Sequence, residues 1–388
     1  MRVSAAKTSP RVERNVYMRQ KKIKSYGAEN DYPQKVYEIL NSSGTGKTCF
    51  DIYVKFIEGG GFIDKTLADS VINEKGERAS LLLTKAAKDM RLFNGFAFLL
   101  KYDFSGYVTD IYNIPFEHCR LEIDDKNHYT GRVAVHPDWT NNNGLRFKNE
   151  DIKYIHRYNP DTVFDEIKEV GTPVLYSGQV YYYTTDGEFE YPICPFDPVV
   201  TDMLTEEAVS TVKHRNAKHN FLPAGILVRK GIKPQTLEDG TIDPHDRYNQ
   251  EQIQSANEIK RMQGDTNASK IWVVDVDADE EKPEFIQFDA KNYDRQFELT
   301  EETVQDNIGR MFMMPPILRG VDVGSGFGAE LITNAYEFMN SVVSDERRRI
   351  SVAFKDMFEY FEQKFTNFDI SPIKYVTENT QPDVPVSE

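Results

Sequence analysis

Residues 308–328 read Ile308-Gly309-Arg310-Met311-Phe312-Met313-Met314-Pro315-Pro316-Ile317-Leu318-Arg319-Gly320-Val321-Asp322-Val323-Gly324-Ser325-Gly326-Phe327-Gly328. Upstream, from Asn292, apolar residues at Phe297, Val304, Ile308, Met311 and Phe312 recur close to one helical face. Met314 precedes Pro315-Pro316, whose rings disfavour the helical region at the preceding residue and remove backbone donors, so the helix should stop there. The run from Gly320 to Gly328 then holds Gly320, Gly324, Gly326 and Gly328, too many glycines to fix a conformation alone. A second apolar-periodic helix follows. Two long helices around such a loop point to a moving mechanical part rather than a catalytic pocket.

At 388 residues the chain has room for two or three domains and a substantial core. A composition of 39% hydrophobic, 12% aromatic and 28% charged residues is that of a folded soluble protein. The formal charge of −15 argues against a tight binder of DNA phosphates, and is compatible with a surface past which DNA moves without sticking. No apolar run has the length of a membrane span, and the N-terminus lacks the apolar core of a secretory signal. Cys49, Cys119 and Cys194 are odd in number and far apart, which fits a reducing compartment and gives no zinc spacing.

Residues 1–26 carry eight cations against Glu13 alone, and read as a basic arm that is either a solvated tail or a contact for nucleic acid or an acidic neighbour. A helical region over residues 31–58 is closed by Gly59-Gly60-Gly61, and a helix over residues 79–93 is closed by Asn94-Gly95. The pattern then turns to strands at residues 96–102, 107–114, 120–124, 131–136, 152–158 and 179–184. A further strand at residues 189–191 would close a hairpin at Asp186-Gly187. This section should form an antiparallel sheet on the preceding helices.

Asp197-Pro198 opens a helix that runs to about Asn220 and ends basic. Strands at residues 226–229, 271–276 and 284–288, with a helix at residues 246–263, read as a small α/β module. The last helix should run from residue 329 to about 365, with an extended or disordered tail from Asn367.

Three motifs resemble chemistry and fall short of it. Ser43-Gly44-Thr45-Gly46-Lys47-Thr48 looks like a phosphate loop, but Asn41 stands where the first glycine belongs and no apolar strand leads in. Gly324 to Ala329 fits G-x-G-x-x-A, but a proline-stopped helix leads in. Residues 275–286 resemble a calcium loop, with Glu280 at the glycine position and Ile286 at the glutamate position. No catalytic constellation, metal set or cofactor site stands out. A soluble NTPase or nuclease, using residues 44–48 or an acidic cluster, is the alternative reading.

Taken in order, the pieces resemble the portal proteins of tailed bacteriophages. The likeness is densest from Gln250: a helix, then Ile271-Trp272-Val273-Val274, then the run from Ile308 to Gly320, similar to the family's I-A-R-x-F-x-V-P-P-x-L-x-G with departures at Gly309 and Met314. Asn94-Gly95-Phe96-Ala97-Phe98 and Pro223-Ala224-Gly225-Ile226-Leu227 resemble two further family segments.

That resemblance implies an α+β portal-type subunit, non-enzymatic and without cofactor or metal, that assembles into a ring, usually of twelve, at one capsid vertex. It divides the chain into a basic arm (1–30), wing (31–196), descending stem helix (197–220), clip (221–289), ascending stem helix (290–314), tunnel loop (315–328), tunnel helix with a short crown (329–366) and flexible tail (367–388). The tunnel loop would use Gly320, Asp322, Gly324, Ser325, Gly326, Phe327 and Gly328, and Pro315 and Pro316 would stop the stem helix. Arg295, Arg310 and Arg319 would touch DNA in the channel, and Lys218, Arg229, Lys230 and Lys233 would face the motor at the clip. Implied partners are further copies of the chain, the terminase large subunit, the major capsid protein and scaffold, a head-tail adaptor and double-stranded DNA, with no membrane. The implied location is the virion, after assembly in the host cytoplasm.

Overall fold

The alternating stretch between Gly95 and Thr184 supplies most of one sheet, and the glycine and asparagine stops before it supply the helices packed on that sheet. The computed structural model describes residues 15–139, 151–172, 175–186, 189–219, 225–230, 271–276, 284–287, 291–321 and 328–375. It divides into two compact units, residues 1–204 with 306–388, and residues 205–305.

In the first unit, strands β1 (Tyr17–Met18) and β2 (Ile23–Lys24) precede helices α1 (Tyr32–Ser42), α2 (Gly44–Glu58), α3 (Lys65–Asp69) and α4 (Ala79–Phe93). Ser43 separates α1 from α2, and its hydroxyl accepts the Gly46 amide at 2.9 Å, an N-cap that starts the second helix. Asn94 closes α4 in the left-handed region at φ 52°, which asparagine tolerates better than other side chains. Strands β3 (Gly95–Tyr102), β4 (Val108–Ile114), β5 (Cys119–Ile123), β6 (Tyr129–Val135), β7 (Lys153–Arg157) and β8 (Gln179–Thr184) complete an eight-stranded sheet of order β1-β2-β5-β6-β7-β8-β3-β4.

The sheet is mixed rather than antiparallel throughout, because β7 and β8 pair in parallel. A parallel pair needs a crossover, and residues 159–178, which lack periodicity, supply it with helix α5 (Val163–Val170). Residues 189–191 form no strand. One edge of β8 is paired with β3 along its whole length, and on the other β7 pairs with Gln179 and Val180. Tyr191 instead stacks on Tyr26 at 4.3 Å between ring centroids, and its hydroxyl bridges Lys24 and Leu121 of β2 and β5.

The second half of the expected basic arm is part of this sheet. Strand β2 pairs with β5, and Ile23, Lys24, Ser25 and Tyr26 are buried. Beside them Arg120 is fully buried. Its guanidinium donates to the Asn30 side chain, to the Asn30 carbonyl at 2.9 Å and to the Glu117 and Cys119 carbonyls at 2.8 Å. Those acceptors, with the Tyr26 and Trp139 ring centroids 5.5 and 5.3 Å away, hold a buried cation without a carboxylate partner among the described residues.

After a 3-10 turn at Asp197–Val199, helix α6 (Val200–His219) begins; Asp197 accepts the Tyr32 hydroxyl at 2.9 Å rather than capping it. In the second unit β9 (Gly225–Lys230) pairs in parallel with β10 (Ile271–Val276) and antiparallel with β11 (Glu284–Gln287). Lys213 of α6 pairs with Glu301 of helix α7 (Lys291–Met311).

The helix expected over residues 329–365 is two helices, α8 (Ala329–Val342) and α9 (Ser344–Phe358). They break at Val343, which is buried to 0% exposure with ψ 6°, so packing and not a breaker residue sets the bend. Phe354 of α9 lies 5.0 Å from Phe62 and 6.0 Å from Phe98, which seats the helix on the segment after α2 and on β3. The chain beyond α9 turns back, and residues 369–371 hydrogen-bond to residues 60–63. Gly59, at φ 61°, permits this, since a Cβ there would stand 2.1 Å from the Ser371 carbonyl oxygen. So the expected tail is docked as far as Tyr375: the Asn340 side chain donates to the Ile373 carbonyl at 2.8 Å, and the Tyr375 ring lies 5.6 Å from that of Tyr336. The expected helix over 246–263, residues 277–283 of the calcium-like loop and the end of the tail lie outside the described residues.

Candidate channel segment around the proline turn

Helix α7 ends before the prolines act on it. The Met314 amide donates to Gly309 and the Met313 amide to Arg310, both at 2.9 Å, and Met313 sits at φ 49°. This is a Schellman closure with a left-handed methionine, in which Pro315 and Pro316 follow the stop rather than cause it. Pro316–Arg319 then forms a 3-10 turn that ends on Gly320 at φ 77°.

Phe312, the last residue of the apolar row Val304-Ile308-Phe312, is fully buried. It stacks on Phe196 at 5.4 Å and meets Tyr53 edge-on at 6.5 Å. The buried guanidinium of Arg91 lies 3.8 Å from the Tyr53 centroid and 4.7 Å from the Phe312 centroid. Burial holds the Arg91 pKa below its ordinary value. Tyr53 Oη in turn donates to Glu346 Oε1 at 3.0 Å. The C-terminal end of α7 is therefore fastened to α2, α4 and α9 through one aromatic-cation cluster.

The turn is fastened separately. Arg319 lies back across α7 with its side chain 10% exposed, and its Nη2 reaches Asp306 at 3.3 Å. It occupies the space over Gly309, where a Cβ would stand 2.3 Å from Arg319 Nη1. Gly309, one of the two departures from the portal pattern, thus makes room for an arginine ten residues on.

On the face of α7 away from the buried Val304-Ile308 row, Glu298, Glu302, Asp306 and Arg310 are exposed at four-residue spacing, a stripe that is acidic up to its last residue. Of the expected channel contacts, Arg310 is open at the end of this stripe, Arg319 is committed to α7, and Arg295 lies upstream on the same helix. Among the tunnel-loop residues, Gly320 and Gly328 are described, and Gly328 precedes α8. Asp322, Gly324, Ser325, Gly326 and Phe327 lie outside the described residues, as does Lys233. Lys218 falls in the last turn of α6, and Arg229 and Lys230 end β9.

The phosphate-loop candidate is the first turn of α2, entered from a helix, with Lys47 paired to Asp51. Among the described residues no group of three or more His, Cys, Asp or Glu could hold a metal ion, and no helix is long and apolar enough to cross a membrane. The three cysteines are buried and free, and burial pushes the Cys119 and Cys194 thiols up. Sequence reading missed Arg91 and the Gly309-Arg319 pair. The signal for the pair was the glycine in an otherwise regular helix.

No family profile and no curated relative matches the sequence. Solved structures do. A chain from the virion of a native gene transfer agent particle is 12% identical, with 87% of this chain and 83% of that chain covered at a TM-score of 0.51. A chain from the neck of the native particle, computed with C12 symmetry, is 12% identical over 90% of this chain and 86% of that one, also at 0.51. An HK97-family phage portal protein from Corynebacterium diphtheriae, 12% identical over 78% of this chain and 85% of that one, reaches only 0.38, too low to bear on the fold. The α+β class expected from the sequence is what the structure shows, and the fold is similar to that of chains in the virion and neck of the gene transfer agent particle.

Proposed function

We propose that the chain is a phage-type portal subunit, a structural ring component through which genomic DNA is packaged and ejected. The observation that carries this reading is the fastened end of α7: a long helix with an acidic outer stripe, locked at Phe312 and Arg319, leading into a glycine-rich loop and a second helix. The likeness to a neck assembly computed with C12 symmetry supports a ring, and we take it to have twelve copies. In this reading α6 and α7 are the stem, residues 221–289 the clip and residues 315–328 the tunnel loop.

The physical logic is electrostatic. Like charge along the bore suppresses phosphate contacts, so a duplex slides, and Arg310 at the end of the stripe supplies a weak, exchangeable one. The basic end of α6 with Arg229, Lys230 and Lys233 would face the terminase large subunit during packaging and a head-tail adaptor afterwards. The wing, residues 31–196, would face the major capsid protein and scaffold, and the subunit would belong to the virion.

Native mass measurement of the purified chain tests the proposal. A discrete closed oligomer with a central hole in negative stain is expected. A monomer under every condition, with ATP turnover lost in Lys47→Ala, would favour the NTPase instead.

A further inference from the structure

Outside the proline-turn segment, a cleft of 660 Å³ opens between α9 and residues 366–372. That volume lies within the roughly 300–1,000 Å³ typical of small-ligand sites. On a chain of net charge −15 its lining is cationic, with Arg347, Arg348 and Lys355 against Asp369 alone. Arg348 is paired with Asp345 at 2.6 Å, a residue that also binds Arg349. Arg347 and Lys355 have no carboxylate within ion-pair distance among the described residues.

Arg347 is the informative residue. It is 8% exposed, and one guanidinium nitrogen donates to the Asn340 carbonyl. Its Nε is buried without a partner, as is the side-chain oxygen of Asn340 in the same wall. Holding a guanidinium out of water without a counter-charge is costly, and a ligand oxyanion would offset that cost. Arg347, Ser351 and Lys355 follow at four-residue spacing, so they line one face of α9 over about 12 Å. The hydroxyl of Ser341 extends the row of donors, whereas that of Ser344 already donates to the Ser341 carbonyl at 2.7 Å.

We propose that this cleft binds a phosphate group, with Arg347 as the buried anchor and Lys355 as the solvent-side cation. The phosphate can come from a free nucleotide or from a nucleic-acid backbone, and both present the same oxyanion. The proposal does not rest on the portal reading: phosphate binding is read by titration and ring formation by oligomer mass, so the failure of either is seen separately.

Calorimetric titration of the purified full chain with inorganic phosphate and with dAMP tests this. Both probes should bind and compete. Lys355→Gln, at an exposed position, should weaken dAMP about tenfold, the loss of one charge-assisted contact, with the melting temperature and oligomer mass unchanged. Arg347→Lys keeps the charge but loses the planar fork, and should weaken binding at least as much. Displacement of dAMP by a short DNA duplex, diminishing with salt, would assign the site to backbone phosphates. Binding of dAMP that duplex does not displace would assign it to a free nucleotide. Absence of binding heat at about 10 mM probe, or unchanged affinity in both variants, would overturn the proposal.

Discussion

Replacing Gly309 by alanine should have opposite effects depending on Arg319. In an isolated helix the change is favourable by about 0.8–1 kcal/mol, because glycine gives up more backbone freedom on folding. Here the new methyl would stand 2.3 Å from Nη1 and 2.5 Å from the central carbon of the Arg319 guanidinium. The clashing group is the end of a flexible side chain, so Arg319 would swing out rather than α7 moving. It would lose its contact with Asp306 and the packing of its stem, together about 2 kcal/mol. Gly309→Ala alone should therefore destabilise the subunit by about 1 kcal/mol, and in an Arg319→Ala background it should stabilise by a similar amount. The coupling of about 2 kcal/mol is read from a double-mutant cycle of urea unfolding on the unassembled subunit, followed by helical circular dichroism. Equal effects of Gly309→Ala in both backgrounds, within about 0.5 kcal/mol, would refute the linkage between glycine and arginine.

Three further outcomes are expected. Burial lifts the Asp89 carboxyl to about 7, although the Phe116 amide donates to it at 3.3 Å. A raised folded pKa favours the protonated form, so stability is greatest below the unfolded value near 4, falls as pH rises to about 7 and is level above it. Asp89→Asn should remove that slope and gain about 1–3 kcal/mol at pH 8, seen in unfolding midpoints across pH. Arg91→Met, which keeps the volume between Tyr53 and Phe312, should cost less than about 1.5 kcal/mol, whereas Arg91→Ala should cost about 3 by leaving a cavity; equal losses in thermal unfolding would mean that the cation itself holds the cluster. Converting Glu298, Glu302 and Asp306 to lysine should turn a sliding surface into a sticking one, with DNA affinity of the assembled protein falling steeply with salt, and an unchanged, salt-insensitive affinity would remove the stripe from the bore.

What the sequence made legible follows from where the determinants are local. Helix α4 was readable to its ends, because its apolar stripe and the Asn94-Gly95 stop lie within the helix itself or beside it. Strands β8 and β10 were equally plain from their apolar runs. Helix α5 was missed because eight residues give too short a periodic signal, and its role as a parallel crossover is a property of the sheet. The break at Val343 carries no glycine or proline; burial of that side chain sets it. Arg120 read as an ordinary strand cation, since nothing nearby in sequence announces that Asn30, ninety residues away, will receive it. At the candidate site the proline pair and glycine run were legible, but the helix stop at Met313 and the anchoring of Phe312 and Arg319 depend on contacts across the fold.

The most direct measurement is a reconstruction, without imposed symmetry, of the purified assembled chain by electron cryomicroscopy. A closed ring is expected, with the Glu298-to-Arg310 stripe of each α7 bordering a central channel wide enough for duplex DNA. Single subunits, or rings that carry this stripe on their outer surface, would contradict the portal function.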